Sequence, residues 1–479
     1  MKSSGIRSFF STTAMRASGA ALMLAAGSAV HAEGDGEGGT KLSAWGWTTM
    51  GQVIKSRYVY VQPSRLVPND PSLPDDAFWS DVFQGYNFNR SWLMLLDAGV
   101  KLTNDVTDRT RLTVHGGFRY AFNAVVRKEN PAENVKHFRK TERPYLIEAS
   151  IRSRLIENEA LSFGLTGGYF SVKYNPHAYN LGEYLFRSNM YPQVLVSGFE
   201  TSDKWKVLAL RLQLDLFEIF NQQLYVTSET EVYPLYDFGL AYLATVNPLK
   251  FLEIGAGVYA HRLVSVDPEK TTPGLLTDTY SAEADQRYVM HIDGNDTTFY
   301  TFKGTKAMGR IAVDPLFLLK PGLLNEEEGK LYAEVGVIGI KDYPIYYDSL
   351  HQRVPVMVGF NFPTFKFLDV LSLQVEYFAN RYSNSAKTVW ESRSPVPFLG
   401  ELRSGKLEDD NLYPYKHEDD WKWSIYGKRR ITDFLEVSGQ VASDHTQRND
   451  YMTGYFQVYE QLCLRPQDYY WILRLKFYL

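Results

Sequence analysis

Residues Arg109-Thr110-Arg111-Leu112-Thr113-Val114-His115-Gly116-Gly117-Phe118-Arg119-Tyr120-Ala121-Phe122 sort into two sets with a period of two. Thr110, Leu112, Val114, Gly116, Phe118, Tyr120 and Phe122 fall on one side, and Arg109, Arg111, Thr113, His115, Gly117, Arg119 and Ala121 on the other. Side chains alternate across a β-strand, so this pattern marks a strand with one apolar and one polar face. The same alternation returns further along. Leu208, Leu210, Leu212 and Leu214 oppose Ala209, Arg211, Gln213 and Asp215; Leu371, Leu373, Val375 and Tyr377 oppose Ser372, Gln374 and Glu376. At the carboxyl end Trp471, Leu473, Leu475, Phe477 and Leu479 oppose Ile472, Arg474, Lys476 and Tyr478.

About 16 such segments can be marked, an even number of roughly the ten-residue length that a membrane-spanning strand needs. They begin near Lys41, Arg90, Arg109, Pro144, Ala160, Lys204, Gln223, Asp237, Phe251, Phe299, Lys330, Val354, Val370, Glu418, Phe434 and Asp468. The connections alternate in length. Asn104 to Asp108, Glu157 to Glu159, Asn247 to Lys250, Pro363 to Asp369 and Ile431 to Asp433 are short; Val61 to Asn89, Asn123 to Arg143, Asn175 to Asp203, Val264 to Thr298 and Ser383 to His417 are long. A soluble sandwich or propeller has strands of about 5 to 6 residues and no such rule. The reading is an all-β chain forming a transmembrane antiparallel β-barrel, with short periplasmic turns and long external loops. In hydrocarbon an unpaired backbone group costs several kcal/mol, so a strand-built span must close on itself, and charges must point inward.

Composition agrees. The chain of 479 residues is 15% aromatic and 22% charged, which leaves no room for a helical membrane bundle, and one Cys excludes a disulfide framework or Cys-based zinc site. With 51 basic and 55 acidic side chains, it has no polycation for nucleic acid. Lys2, Arg7 and Arg16 precede an apolar stretch, Ala17 to Val30, and Val30-His31-Ala32, so residues 1–32 read as a secretory signal peptide cleaved after Ala32. Residues 33–40 form a flexible leader, and 41–479 one barrel domain.

Trp45, Trp47, Trp92, Tyr145, Trp205, Trp421 and Trp423 lie near strand ends on the apolar phase, as interfacial girdles require. With these features from Lys41 to Leu479, the sequence resembles the Gram-negative outer-membrane porins in architecture, though the terminal aromatic is displaced to Phe477-Tyr478-Leu479. The resemblance implies a cell outer-membrane location, contact with lipid and lipopolysaccharide, handling by the outer-membrane assembly machinery, and a homotrimer as an expectation. It also implies passive diffusion of small hydrophilic solutes, with no cofactor, metal or nucleic acid. Two alternatives stand beside it: a substrate-selective, sugar-type channel, and a structural or surface-binding barrel with a plugged pore.

A barrel of about 16 strands has room for an aqueous channel. In porins the third external loop folds inward, and by order that loop is Asn175 to Asp203. Its centre runs Leu181-Gly182-Glu183-Tyr184-Leu185-Phe186-Arg187-Ser188-Asn189-Met190-Tyr191, and leaving this much apolar surface in water is unfavourable by about 25 cal/mol per Å². Glu183, Tyr184, Phe186, Arg187 and Tyr191 are the expected constriction residues. Arg109, Arg111, His115, Arg119, Arg152 and Arg154 form an expected basic wall of the pore, and Glu229, Glu231 and Glu253 an acidic one, a split that sets a transverse field.

Catalysis is not expected. His115 is flanked by arginines, and His445 and Asp444 have opposite phases. His291-Ile292-Asp293-Gly294-Asn295-Asp296 lacks the spaced acids and closing Glu of a calcium loop, so it reads as a polar turn. Glu408-Asp409-Asp410 and Glu418-Asp419-Asp420 read as solvated acid runs, and Cys463 as a free thiol.

Overall fold

The computed structural model describes residues 39–55, 58–60, 84–86, 92–130, 133–186, 205–228, 238–261, 263, 288–293, 296–301, 304–340, 349–379, 420–443, 447–448, 460–461 and 466–478. Sixteen strands form one closed barrel. In chain order they are β1 Thr40–Lys55, β2 Trp92–Thr107, β3 Thr110–Asn130, β4 Glu133–Glu157, β5 Leu161–Val172, β6 Trp205–Leu216, β7 Phe220–Ser228 and β8 Phe238–Leu249. They continue as β9 Leu252–His261, β10 Gly304–Val313, β11 Leu331–Val337, β12 Val356–Asn361, β13 Val370–Tyr377, β14 Trp421–Arg430, β15 Leu435–Ser443 and β16 Tyr469–Tyr478. Each strand is antiparallel to its neighbour in sequence, and β1 closes the ring on β16 from Trp45 opposite Tyr478 to Lys55 opposite Tyr469. No edge is left unpaired, which is the condition for a sheet in a medium without water.

The period-two faces explain the wall. Leu112, Val114 and Phe118 of β3, Leu208 and Leu210 of β6, and Val356 and Val358 of β12 are exposed on the outside. Thr113 and Arg119, Thr227, and Ser372, Gln374 and Glu376 are buried on the inside. The barrel therefore inverts the usual globular order, with apolar side chains outward and polar ones within.

Two element assignments need correction. The stretch Asn123 to Arg143 is not a long loop: β3 and β4 continue as a paired ribbon to Asn130 opposite Glu133. Beyond the barrel these strands pair only with each other, and such a ribbon satisfies its backbone bonds without an apolar face, so it leaves no hydropathy period to read. The strand assigned near Phe299 also shifts. Residues Asp296–Thr301 belong to a separate ribbon with Tyr288–Asp293, and the barrel strand begins at Gly304.

The aromatic assignment divides. Trp421 and Tyr377 are exposed on the outer face, ring centroids 4.7 Å apart, and the Trp423 indole donates to the Pro466 carbonyl at 2.7 Å. Trp45, Trp47 and Tyr145 instead point inward. Trp45 shares one register row with Gly99, Gly117 and Tyr145. A Cβ on Gly99 would come within 2.6 Å of the Trp45 indole and one on Gly117 within 2.9 Å. These two glycines open a recess in the inner wall that the indole fills, outweighing its preference for an interface. A bulge between His115 and Gly116 helps, because it lets both Ile147 and Glu148 stand on the inner side below Tyr145. The side chains of Trp92 and Trp205, and residues 1–38, lie outside the described residues.

Candidate functional site

The barrel interior has two unlike halves. Behind β9 to β13 it is filled. After β5 the chain turns inward, and Ala178, Leu181, Tyr184, Leu185 and Phe186 are buried. Leu185 and Phe186 pack with Phe170, Tyr225, Leu243 and Met308; Leu181 and Tyr184 pack with Tyr332, Met357 and Phe378. Polar anchors come from the opposite wall. Glu334 accepts from the Tyr174 hydroxyl at 2.6 Å, from Asn175 Nδ2 at 2.8 Å and from the Tyr184 amide at 2.9 Å. Gln374 Oε1 accepts from the amides of Asn180 at 2.9 Å and Leu181 at 3.1 Å, and Glu376 accepts from the Tyr184 hydroxyl at 2.8 Å. A segment without helix or strand has few backbone partners of its own, so buried carboxylates and amides of the wall take their place.

Fit is tight. Gly182 has φ of +87° and Glu183 of +59°, a left-handed pair that reverses the chain at the wall. A Cβ on Gly182 would lie 2.6 Å from Met357 Cε, and one on Gly336 would lie 2.7 Å from Tyr184 Cβ. At Gly336 a side chain would collide with the base of the Tyr184 ring, and at Gly182 the positive φ is what favours glycine.

From the turn side a second segment rises to meet it. The connection between β10 and β11 places Glu327 where it accepts from Lys330 Nζ at 2.7 Å and contacts His177 Nδ1 at 3.0 Å and the Tyr179 hydroxyl at 3.4 Å. The Tyr179 ring stacks on Tyr426 of β14 at 5.1 Å. Burial raises the Glu327 carboxyl, but bonds from His177 and Lys330 outweigh it and bring it down to about 2. Beside it Glu328 accepts from the amides of Asn325 and Thr364, each at 2.7 Å, tying the connection to the β12–β13 turn. Burial raises this carboxyl too, and these donors lower it further than burial lifts it.

Behind β2 to β6 the interior is open. A cavity of about 620 Å³ is lined by the turn-side halves of these strands. Of the sequence-predicted basic wall, Arg109, Arg111, Arg152 and Arg154 line it, joined by Lys101 and Arg211. Arg111 Nε is 2.6 Å from Asp105, and Arg154 is 2.7 Å from Glu157. His115 and Arg119 are not in that cavity. His115 lies edge-on to Trp45 at 5.4 Å, and Arg119 is buried against Asp97 at 2.8 Å, with the Tyr145 hydroxyl donating to the same Asp97 oxygen at 3.1 Å.

Of the predicted acidic residues, Glu253 is engaged by Arg310, while Glu229 and Glu231 lie outside the described residues. Of the loop residues, Glu183 accepts from the Asn175 amide at 3.1 Å, and Tyr184 and Phe186 are buried as above; Arg187 and Tyr191 lie outside the described residues, as do Asp444, His445 and Cys463. Sequence reading passed over Lys101, Arg211, Glu334, Glu327 and His177. Lys101, Arg211 and Glu334 sit on the polar phase of their strands, which was the available signal. Nothing in the sequence ties His177 to Glu327.

No family model and no curated protein matches the chain. Among solved structures, the high-pH form of Pseudomonas putida OprB is 11% identical, covering 92% of this chain and 94% of that chain at a TM-score of 0.44. Its low-pH form is 8% identical, covering 92% and 93% at 0.43. A mutant of Rhodopseudomonas blastica porin is 9% identical, covering 92% and 100% at 0.36. The porin-like architecture rests on this chain's own closed ring of sixteen antiparallel strands.

Proposed function

We propose that the chain is an outer-membrane channel for passive diffusion of small hydrophilic solutes. The cavity of about 620 Å³ behind β2 to β6 carries this reading, because it is a polar, charged space inside a wall whose outer face is apolar. A Lys or Arg on the lipid side at mid-depth costs roughly 2–4 kcal/mol, which favours placing the charges inside and the apolar face in lipid. In this reading Arg109, Arg111, Arg152 and Arg154 form a basic wall along the path, with His115 and Arg119 above them. Glu229, Glu231 and Glu253 belong to the acidic wall, and Glu183, Tyr184, Phe186, Arg187 and Tyr191 to the constriction. The signal peptide, lipopolysaccharide contact, assembly by the outer-membrane machinery and trimer formation belong to the same proposal, as does the lack of a catalytic role.

The packed half supports a second reading, a structural barrel with a plugged pore. Conductance in a planar bilayer separates the two. Ohmic current from purified protein supports the channel, a sealed barrel supports the plug, and saturable conductance blocked by one oligosaccharide supports a sugar-type channel. Deleting Leu181 to Met190 is expected to enlarge the conductance; an unchanged value would remove the loop from the role of constriction.

A further inference from the structure

Three neighbouring strands bring Arg152, Thr166 and Arg211 into one register row on the inner wall, Arg152 opposite Thr166 and Thr166 opposite Arg211. All three line the open cavity. We propose that this row is a binding site for the oxyanion group of a small solute, a phosphate or a carboxylate, held between the two guanidinium groups above Thr166.

Charge accounting around the cavity supports it. Six basic side chains line the cavity against the four carboxylates of Asp105, Asp108, Glu148 and Asp215, so its wall is net positive; Arg111 is paired with Asp105 and Arg154 with Glu157, and two of the carboxylates are held by neutral donors. Glu148 accepts from Ser150 at 2.6 Å, and Asp215 accepts from Gln213 at 3.0 Å and from Asn221. Arg152 has no ion pair among the described residues. Arg211 donates to Thr166 Oγ1 at 3.1 Å and lies over the Phe170 ring at 5.4 Å, while its Nε is buried with no hydrogen-bond partner. Because Thr166 Oγ1 already accepts from Arg211, its own proton is free to donate. The floor between the arginines is small: Ser162, Gly164 and Thr166 are the inward residues of β5 there. Adjacent cross-strand positions are about 5 Å apart, so the two arginines rise from positions separated by roughly twice that distance, a span that two guanidinium groups can close on one oxyanion. Paired charge-assisted bonds of this kind prefer planar or tetrahedral oxyanions over chloride.

For solute selection the inference rests on the channel reading, but binding does not. Calorimetric titration of the detergent-solubilised protein with inorganic phosphate and, separately, with succinate at low salt is expected to show binding by at least one. Losing one arginine, in R152Q or in R211Q, is expected to weaken it by about tenfold or more. Thr166→Val, which keeps the wall shape, is expected to weaken it by a smaller factor. Preference for one titrant identifies the oxyanion class. No binding by either titrant, or wild-type affinity in R152Q or in R211Q, overturns the site. Bilayer current measured on the same preparations decides the channel question separately: binding without current leaves the site standing, and current without binding removes the site alone.

Discussion

The two halves of the barrel interior use polar residues in opposite ways. Behind β9 to β13, Glu334, Gln374 and Glu376 are almost wholly buried, and each gives at least one oxygen to donors of the inward segment. Behind β2 to β6, Arg111 and Arg154 line the open cavity and pair with carboxylates that are partly exposed. A polar inner face is therefore not in itself a pore wall. The same alternation supplies a socket where a loop with matching donors reaches it, and a hydrated surface where none does. The difference predicts that substitutions in the filled half act on loop docking, whereas those in the open half act on ions.

The largest effect is expected at Glu334. Removing its carboxylate in E334A leaves the Tyr174 hydroxyl, Asn175 Nδ2 and the Tyr184 amide without their acceptor inside a closed contact. Hydrogen bonds to a charged group contribute about 1.5–3 kcal/mol each and are not additive, so docking should weaken by roughly 4 kcal/mol. Hydrogen exchange at the Tyr184 and Leu185 amides would accelerate accordingly. Wild-type protection in E334A would mean that apolar packing alone holds the loop.

Next comes the junction at Glu327. Its folded-state value of about 2 lies below the ordinary 4.5, so the folded protein binds fewer protons at this group than the unfolded chain. The stabilisation is complete above pH 4.5 and is lost as pH falls toward 2; the full shift corresponds to roughly 3 kcal/mol. The urea midpoint should fall further between pH 6 and pH 2.5 in wild type than in E327Q, which lacks this titration. Equal pH responses in the two proteins would remove Glu327 from the contact between the loop and the β10–β11 connection.

Much of the barrel was legible in the sequence, because a wall with apolar residues outside and polar residues inside imprints its period on every strand, as Leu371 to Tyr377 shows. The failures share a cause. The β3–β4 extension has polar residues on both faces and so has no period, and the inward turn of Trp45 depends on Gly99 and Gly117, one and two strands away in a row that only the register reveals. Within the site, the row of Arg152, Thr166 and Arg211 and the socket of Gly336 and Glu334 likewise depend on register. A one-residue slip would turn each of those side chains to the other face, and no local pattern reports the alignment.

The smallest effect is expected in the open half and is electrostatic. Glu157 neutralises Arg154 at the turn-side mouth, and both side chains are more than half exposed. Surface pairs of this kind add little stability, so E157Q should leave the unfolding midpoint unchanged. It does free one positive charge beside the cavity. Under a potassium chloride gradient at low ionic strength, the reversal potential should move by a few millivolts toward anion selectivity. At 1 M salt, where the screening length falls to about 3 Å, that displacement should vanish. A displacement that persists at high salt would mean that the substitution had reshaped the mouth, and the contrast between a packed half held by buried acceptors and an open half governed by charge would then fail at Glu157.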